Sequence, residues 1–308
     1  MMRRTTLRIG IIGTDSSHAA AFTRIINDIN DPYYIPGGQV IAAYPGGSSD
    51  FPLSASRVEG FMEALQDDFG VARADSLEAL TRQCDAYLLL SADGRVHLDQ
   101  LREIVHSRRP VFIDKPLALS LKEAKSIFEL ANYWDVPIMS SSSLRFLESL
   151  VHDLDCFGRH SITAAAVQGP LVIESTQSRY FWYAIHAAEM LYSIMGPGCR
   201  EVRAEREAAG ERLIGIWRDG RRGEILCRSD GDDRFLAQLD RHGAITKLDA
   251  AHSATPFYAS LVAQIIPFLQ TGRSPVHWRE TTEIIAFLEA AERSLAAGGA
   301  AQPVAGVL

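Results

Sequence analysis

Through the first 140 residues, short apolar runs alternate with stretches of helical spacing. Residues 7–13 form a near-continuous apolar run ending in Gly13, and Phe22, Ile25, Ile26 and Ile29 follow at helical spacing, which predicts strand, turn and helix. Residues 39–44 predict a second strand, and the Gly-, Pro- and Ser-rich loop after it, over 45–56, is long for such a unit. Met62, Leu65 and Phe69 mark a helix, residues 71–74 a short strand, residues 77–81 a short helix and residues 86–90 a strong strand. Val96, Leu98, Leu101, Ile104 and Val105 form an amphipathic helix that leads into the apolar run 110–113. Ser120 and Glu123 then read as a capping box for a helix over Leu121–Trp134, and residues 136–140 predict a last strand. Strands alternating with helices at this pitch predict an α/β domain, a Rossmann-like doubly wound parallel sheet, over residues 1–140.

Beyond residue 140 the pattern changes. Strand-like runs at 161–167, 201–206, 212–217, 224–228, 235–239 and 244–248 are separated by Asp219-Gly220, Asp230-Gly231 and His242-Gly243, which are hairpin punctuation. Phe257, Leu261, Ile265 and Phe268 share one helical face, as do Ile284, Leu288, Ala291 and Leu295. Residues 141–308 are therefore expected to form an α+β domain with a large open antiparallel sheet and two closing helices, serving substrate binding and oligomerisation. The low-complexity chain from Gly298 is expected to fray.

Composition narrows the partners. The chain has 308 residues, 47% hydrophobic and 22% charged, with a net charge of -7, a balance that argues for a soluble protein and against a nucleic-acid ligand. Cys84, Cys156, Cys199 and Cys227 are far apart and read as reduced thiols in a cytoplasmic protein. Residues 1–4 are basic, but the apolar run behind them is too short for a signal segment or a membrane span, so no membrane association is expected.

The chemistry centres on Asp114-Lys115-Pro116, at the carboxyl end of the run 110–113, where open α/β sheets form their ligand crevice. Pro116 keeps the backbone at Lys115 extended, and a lysine partly desolvated there has a lowered pKa suited to proton exchange with a hydroxyl. Taken alone, a strand-end lysine before a turn proline is also ordinary surface structure.

This order of elements resembles the Gfo/Idh/MocA family of glucose-fructose oxidoreductases and inositol dehydrogenases, over nearly the whole chain. Asp114-Lys115-Pro116 is similar to the family's E-K-P, and Leu144-Arg145-Phe146, after the serines 140–143, to its R-F junction. His186 with Glu189, Met190, Leu191 and Gly196 resembles the H-x-x-D-L-L…G helix, and residues 256–275 and 290–294 its terminal helix pair. The resemblance implies hydride transfer between NAD or NADP and a sugar, polyol or related hydroxy compound, with Lys115 and His186 sharing proton transfer. It implies a homodimer or homotetramer. It further implies cofactor contacts at Gly13, Thr14, Asp15, Ser16, Ser17, His18, Tyr44, Ser91, Ala92, Asp114, Lys115 and Pro116. Substrate contacts are expected among His18, His97, Arg145, Arg179, Trp182, Tyr183 and Glu189.

Four departures stand out. Asp15 and His18 occupy the second and third glycine positions of the family's G-x-G-x-x-G, and Asp15 is suited to capping a helix from Ser16, filling the anion site with its own carboxylate. A carboxylate about 4 Å from a phosphate costs roughly 4 kcal/mol at an effective dielectric of about 20. The acid that usually binds the ribose after strand two is replaced by Tyr44-Pro45-Gly46. Trp182 stands where many relatives carry an aspartate beside the histidine, and Ser91-Ala92-Asp93-Gly94 lacks the proline of the family loop that leads to His97. A degenerate nucleotide site points to two alternatives, lyase, epimerase or hydrolase chemistry, or a non-catalytic sugar-binding protein. Asp15 and His18 with His97 or His186 make only a weak metal set, and no metal is expected.

Overall fold

In the computed structural model, which describes residues 6–305, the chain divides into two compact units. The basic residues 1–4 lie outside the described part.

The first unit is built on β1 (Leu7–Ile12), α1 (Ser17–Asn27), β2 (Gly38–Tyr44), α2 (Pro52–Ala55), α3 (Val58–Phe69), β3 (Ala72–Arg73), α4 (Leu77–Thr81), β4 (Ala86–Leu89), α5 (His97–Ile104), β5 (Val111–Ile113), α6 (Leu121–Trp134) and β6 (Ile138–Met139). The six strands pair in parallel in the order β3-β2-β1-β4-β5-β6, the doubly wound arrangement. Ile9, Ile11, Leu88 and Phe112 are fully buried, as expected of strands covered on both faces. The strand order reverses between β1 and β4, so the turns after these two strands meet at the crevice of the sheet.

The second unit contains α7 (Glu148–Phe157), β7 (Ala164–Pro170), α8 (Ala184–Met195), β8 (Cys199–Glu207), β9 (Gly210–Trp217), β10 (Arg222–Arg228), β11 (Leu236–Arg241) and β12 (Ala244–Asp249). After α9 (Phe257–Thr271) it is completed by α10 (Trp278–Ala296) and β13 (Gln302–Pro303). Its seven strands run in the order β12-β11-β7-β10-β9-β8-β13. The sheet is mixed rather than purely antiparallel, because β7 and β10 pair in parallel from Ala164↔Arg222 to Pro170↔Arg228. Hairpin turns on either side gave no sign of this, since β7 reaches its neighbour across the long segment that contains α8. Gly169 and Gly223 leave room for two aromatic rings: a Cβ on Gly169 would lie 2.7 Å from Phe235, and one on Gly223 would lie 2.7 Å from Trp217.

Two expectations change here. The segment Tyr258–Val276, read as part of the second half, belongs to the first unit, where Gln270 Nε2 donates to Gly37 O at 3.2 Å and Ile266 borders Gly37 and Gly38. Leu119–Leu121 belongs to the second unit, so the boundary is not a single cut at 140. Periodicity identifies a buried helical face but not its partner, which is why α9 and α10 looked alike. The tail is also ordered where it is described: β13 pairs with β8 and the Val304 N–H donates to Arg200 O at 3.0 Å.

Candidate functional site

In the first unit, β5 delivers Asp114 to the crevice, its N–H donating to Leu89 O at 2.9 Å. One carboxylate oxygen of Asp114 accepts the Lys115 N–H at 2.8 Å and the other lies 2.5 Å from His18 Nδ1. His18 Nε2 is 3.1 Å from the Tyr258 hydroxyl, and its ring stacks on Phe22, one turn further along α1, with centroids 5.1 Å apart. Both ring nitrogens of His18 are thus engaged, and it acts as a bridge from α1 and α9 to Asp114. Burial alone would push the Asp114 carboxyl up, but His18 and Lys115 outweigh it and hold the group below the usual range. Lys115, joined to Pro116 by a cis peptide bond, is half-buried. Burial lowers its pKa, against the opposing pull of Asp114.

The turn after β1 keeps one family requirement and changes another. Gly13 has φ +88°, and a Cβ there would lie 2.4 Å from Ser91 N, so only glycine fits. Thr14 is fully buried, its N–H donating to Pro45 O at 2.8 Å and its hydroxyl to Val58 O at 2.8 Å. Asp15 does not cap α1. Ser16 does, accepting the His18 N–H at 3.1 Å, while Ser17 is exposed at the first helical position. Asp15 turns inward instead, accepting from the Ser54 hydroxyl at 2.6 Å and the Ala92 N–H at 3.1 Å, and none of it reaches solvent. Burial pushes its pKa up, while Ser54 and Ala92 pull it back. The long 45–56 loop supplies Ser54 and so gives this acid an interior socket, a pairing that sequence spacing could not reveal. Ser91 is buried, its hydroxyl donating to Gln100 at 2.9 Å, and Tyr44 borders a cavity of about 410 Å³ with Arg73 and Asp75.

His97 has a structural role in place of the expected substrate contact. It is fully buried, with Nδ1 3.1 Å from Leu117 O and Nε2 2.8 Å from Ser91 O, tying the loop after β4 to the segment after Lys115.

In the second unit, every residue of α8 is buried except His186. A helix this apolar is held on all sides, so the one residue left half-exposed marks where it meets a ligand or solvent. His186 Nδ1 lies 2.7 Å from Ser142 Oγ, with Tyr183 and Phe235 edge-on to its ring at 5.6 and 5.8 Å. Three residues further along both segments, Arg145 Nε donates to Glu189 at 2.8 Å, and its Nη1 donates to Glu280 at 2.5 Å. All three of these side chains are buried, so Arg145 and Glu189 form an internal ion network, not the expected substrate contacts. Burial pushes the Glu189 carboxyl up, and Arg145 opposes it. Arg145 Nη2 is buried with no hydrogen-bond partner among the described residues.

Arg179 is likewise committed elsewhere. Its guanidinium forks onto buried Glu211, which also accepts from the Tyr180 hydroxyl at 2.8 Å. Of the aromatic run, Tyr180 and Phe181 are core, Trp182 is half-buried and Tyr183 is exposed beside His186. The sequence reading missed Ser142, Ser54, Tyr258, Glu211 and Glu280. Only Ser142 left a signal: it precedes Arg145 by three residues, as His186 precedes Glu189.

Residues 7–141 match the model of the Gfo/Idh/MocA oxidoreductase family, NAD-binding Rossmann fold. The whole chain is similar in fold to the apo scyllo-inositol dehydrogenase of Lactobacillus casei, with TM-score 0.76 at 12% identity, covering 99% of this chain and 100% of the other. An oxidoreductase from Agrobacterium radiobacter, solved with NAD+, L-tartaric acid and magnesium, gives TM-score 0.76 at 15% identity over 99% and 100% of the two chains. The WlbA dehydrogenase of Bordetella pertussis, in complex with NADH and UDP-GlcNAcA, gives 0.72 at 16% over 97% of each.

Proposed function

Since residues 7–141 match the model of the Gfo/Idh/MocA oxidoreductase family, we propose that the chain is a nicotinamide-dependent enzyme acting on a hydroxyl-bearing carbon of a sugar, polyol or related compound. The observation that carries this reading is Lys115: an amine with its pKa lowered by burial, at the carboxyl end of a central strand, flanked by an aspartate that His18 holds in place.

The residues present fit a dinucleotide at the mouth of α1. Gly13 keeps the tight turn, Ser16 and Ser17 offer hydroxyls and helix-terminal N–H groups to a diphosphate, and the Asp15 carboxylate that would repel it is turned inward and covered. Tyr44 and the cavity it shares with Arg73 and Asp75 would take the adenosine end. When bound, the nicotinamide supplies the hydride acceptor. Lys115, as the neutral amine, takes the hydroxyl proton, and the ammonium formed is stabilised by neighbouring Asp114. In the second unit, taken by itself, His186 would hydrogen-bond a substrate hydroxyl through Nε2, the role the family resemblance implies, and Tyr183 beside it would offer an aromatic face to a sugar ring.

The direct test is equilibrium titration of the purified protein and of Lys115→Ala with NAD and with NADP. Both proteins should bind at least one dinucleotide at submillimolar concentration. Absence of binding to either at millimolar concentration would overturn the reading.

A further inference from the structure

We propose that Ser142 is the positioning residue of His186, fixing the imidazole with its N–H on Nδ1 and its lone pair on Nε2. The inference rests on the role given to His186 above, but its primary test needs neither substrate nor cofactor.

A neutral imidazole carries one proton, and the hydrogen bond at one nitrogen decides what the other can do. Residue 182, one turn before His186, is a tryptophan, whose indole can donate but not accept. Ser142 Oγ, 2.7 Å from Nδ1, supplies an acceptor. The hydroxyl is itself aimed by the backbone. Ser142 caps the short 3₁₀ turn Ser143–Phe146, and its Oγ accepts the Leu144 N–H at 3.2 Å. With one lone pair directed at Leu144, the other is placed to accept from Nδ1–H.

The turn cannot slide along α8, because Arg145 grips Glu189 three residues beyond the first contact. Two contacts at the same spacing on both segments fix their register, and Tyr183 and Phe235 edge-on to the ring limit its rotation. In this arrangement Nδ1–H donates to Ser142 whether the ring is neutral or protonated. Nε2 then keeps its lone pair turned to the substrate hydroxyl without the ring losing its anchor, and the proton count on Nδ1 never changes.

The experiment is nitrogen-15 NMR of histidine-labelled protein, wild type, Ser142→Ala and Ser142→Thr, with His186 assigned from His186→Asn. The wild type and Ser142→Thr should show His186 as the Nδ1–H tautomer, and Ser142→Ala should move it toward Nε2–H. Where a substrate is in hand, Ser142→Ala should lower kcat about tenfold or more with little change in KM, and Ser142→Thr should recover most of it. An Nε2–H tautomer in the wild type would overturn the inference even if Ser142→Ala does not fold. So would a tautomer unchanged in folded Ser142→Ala. Full turnover in His186→Asn would instead strike at the proposed role of His186, and the two failures are therefore distinguishable.

Discussion

Lys115 and His186, the two side chains proposed to act on the substrate, leave their scaffolds in contrasting surroundings. Lys115 emerges beside Asp114, which is paired with His18, so a charged neighbour raises the affinity of the amine for a proton while burial lowers it. His186 emerges from an otherwise buried helix against a neutral hydroxyl and two aromatic edges, and the charges near it are paired with one another one turn away, in the network of Arg145, Glu189 and Glu280. The contrast teaches that one site is tuned by charge and the other by orientation. Removing charge should therefore disturb the first chemically and the second structurally.

The largest expected effect is on turnover. Lys115→Ala should lower kcat by about 10³-fold or more, within the range for loss of a general acid–base group, while thermal melting stays close to wild type. A comparable change in kcat with a collapsed melting temperature would mean that the lysine is architectural. Next in size, Arg145→Met leaves Glu189 and Glu280 buried without their shared cation and should destabilise the fold by about 3–5 kcal/mol, read as a drop in the denaturant midpoint. A triple change that also converts both glutamates to glutamine should recover much of that loss, because the cost lies in the uncompensated charges.

A pH experiment separates the two regions further. Burial holds Lys115 below the usual lysine range, so over the interval between its folded and unfolded pKa values the unfolded chain binds more protons than the folded one. By linkage the stability contribution of Lys115 rises with pH across that interval, and Lys115→Met should flatten this part of the curve. A slope of the opposite sign would show that Asp114, not burial, dominates. The smallest effect is expected for Tyr258→Phe, which removes one hydrogen bond to His18 and should cost about 1 kcal/mol of stability with a few-fold loss in kcat.

Much of the architecture was readable because strand and helix periodicities are strong and cleanly separated: the run 110–113, the helix Leu121–Trp134 and the hairpin strands after 200 all appear where spacing puts them. Lys115 and His186 were legible as motif residues. Their partners were not, because Asp15 with Ser54, His18 with Tyr258 and Arg145 with Glu280 are pairs far apart in sequence, and spacing carries no information about such contacts. Asp15 shows the difference most clearly. Local rules favoured it as a helix cap, yet Ser16 is equally able to cap, and the 45–56 loop offers the carboxylate a buried hydroxyl that outcompetes the helix end.

The central claim is that Lys115 removes the hydroxyl proton during nicotinamide-dependent oxidation of a sugar or polyol. Its most direct test is single-turnover formation of reduced nicotinamide over a panel of inositols, sugars and sugar acids, in wild type and Lys115→Ala at saturating dinucleotide. The account predicts reduced cofactor from the wild type with at least one member of the panel, and a loss of about 10³-fold in Lys115→Ala with dinucleotide binding intact. Equal rates in the two proteins would contradict it.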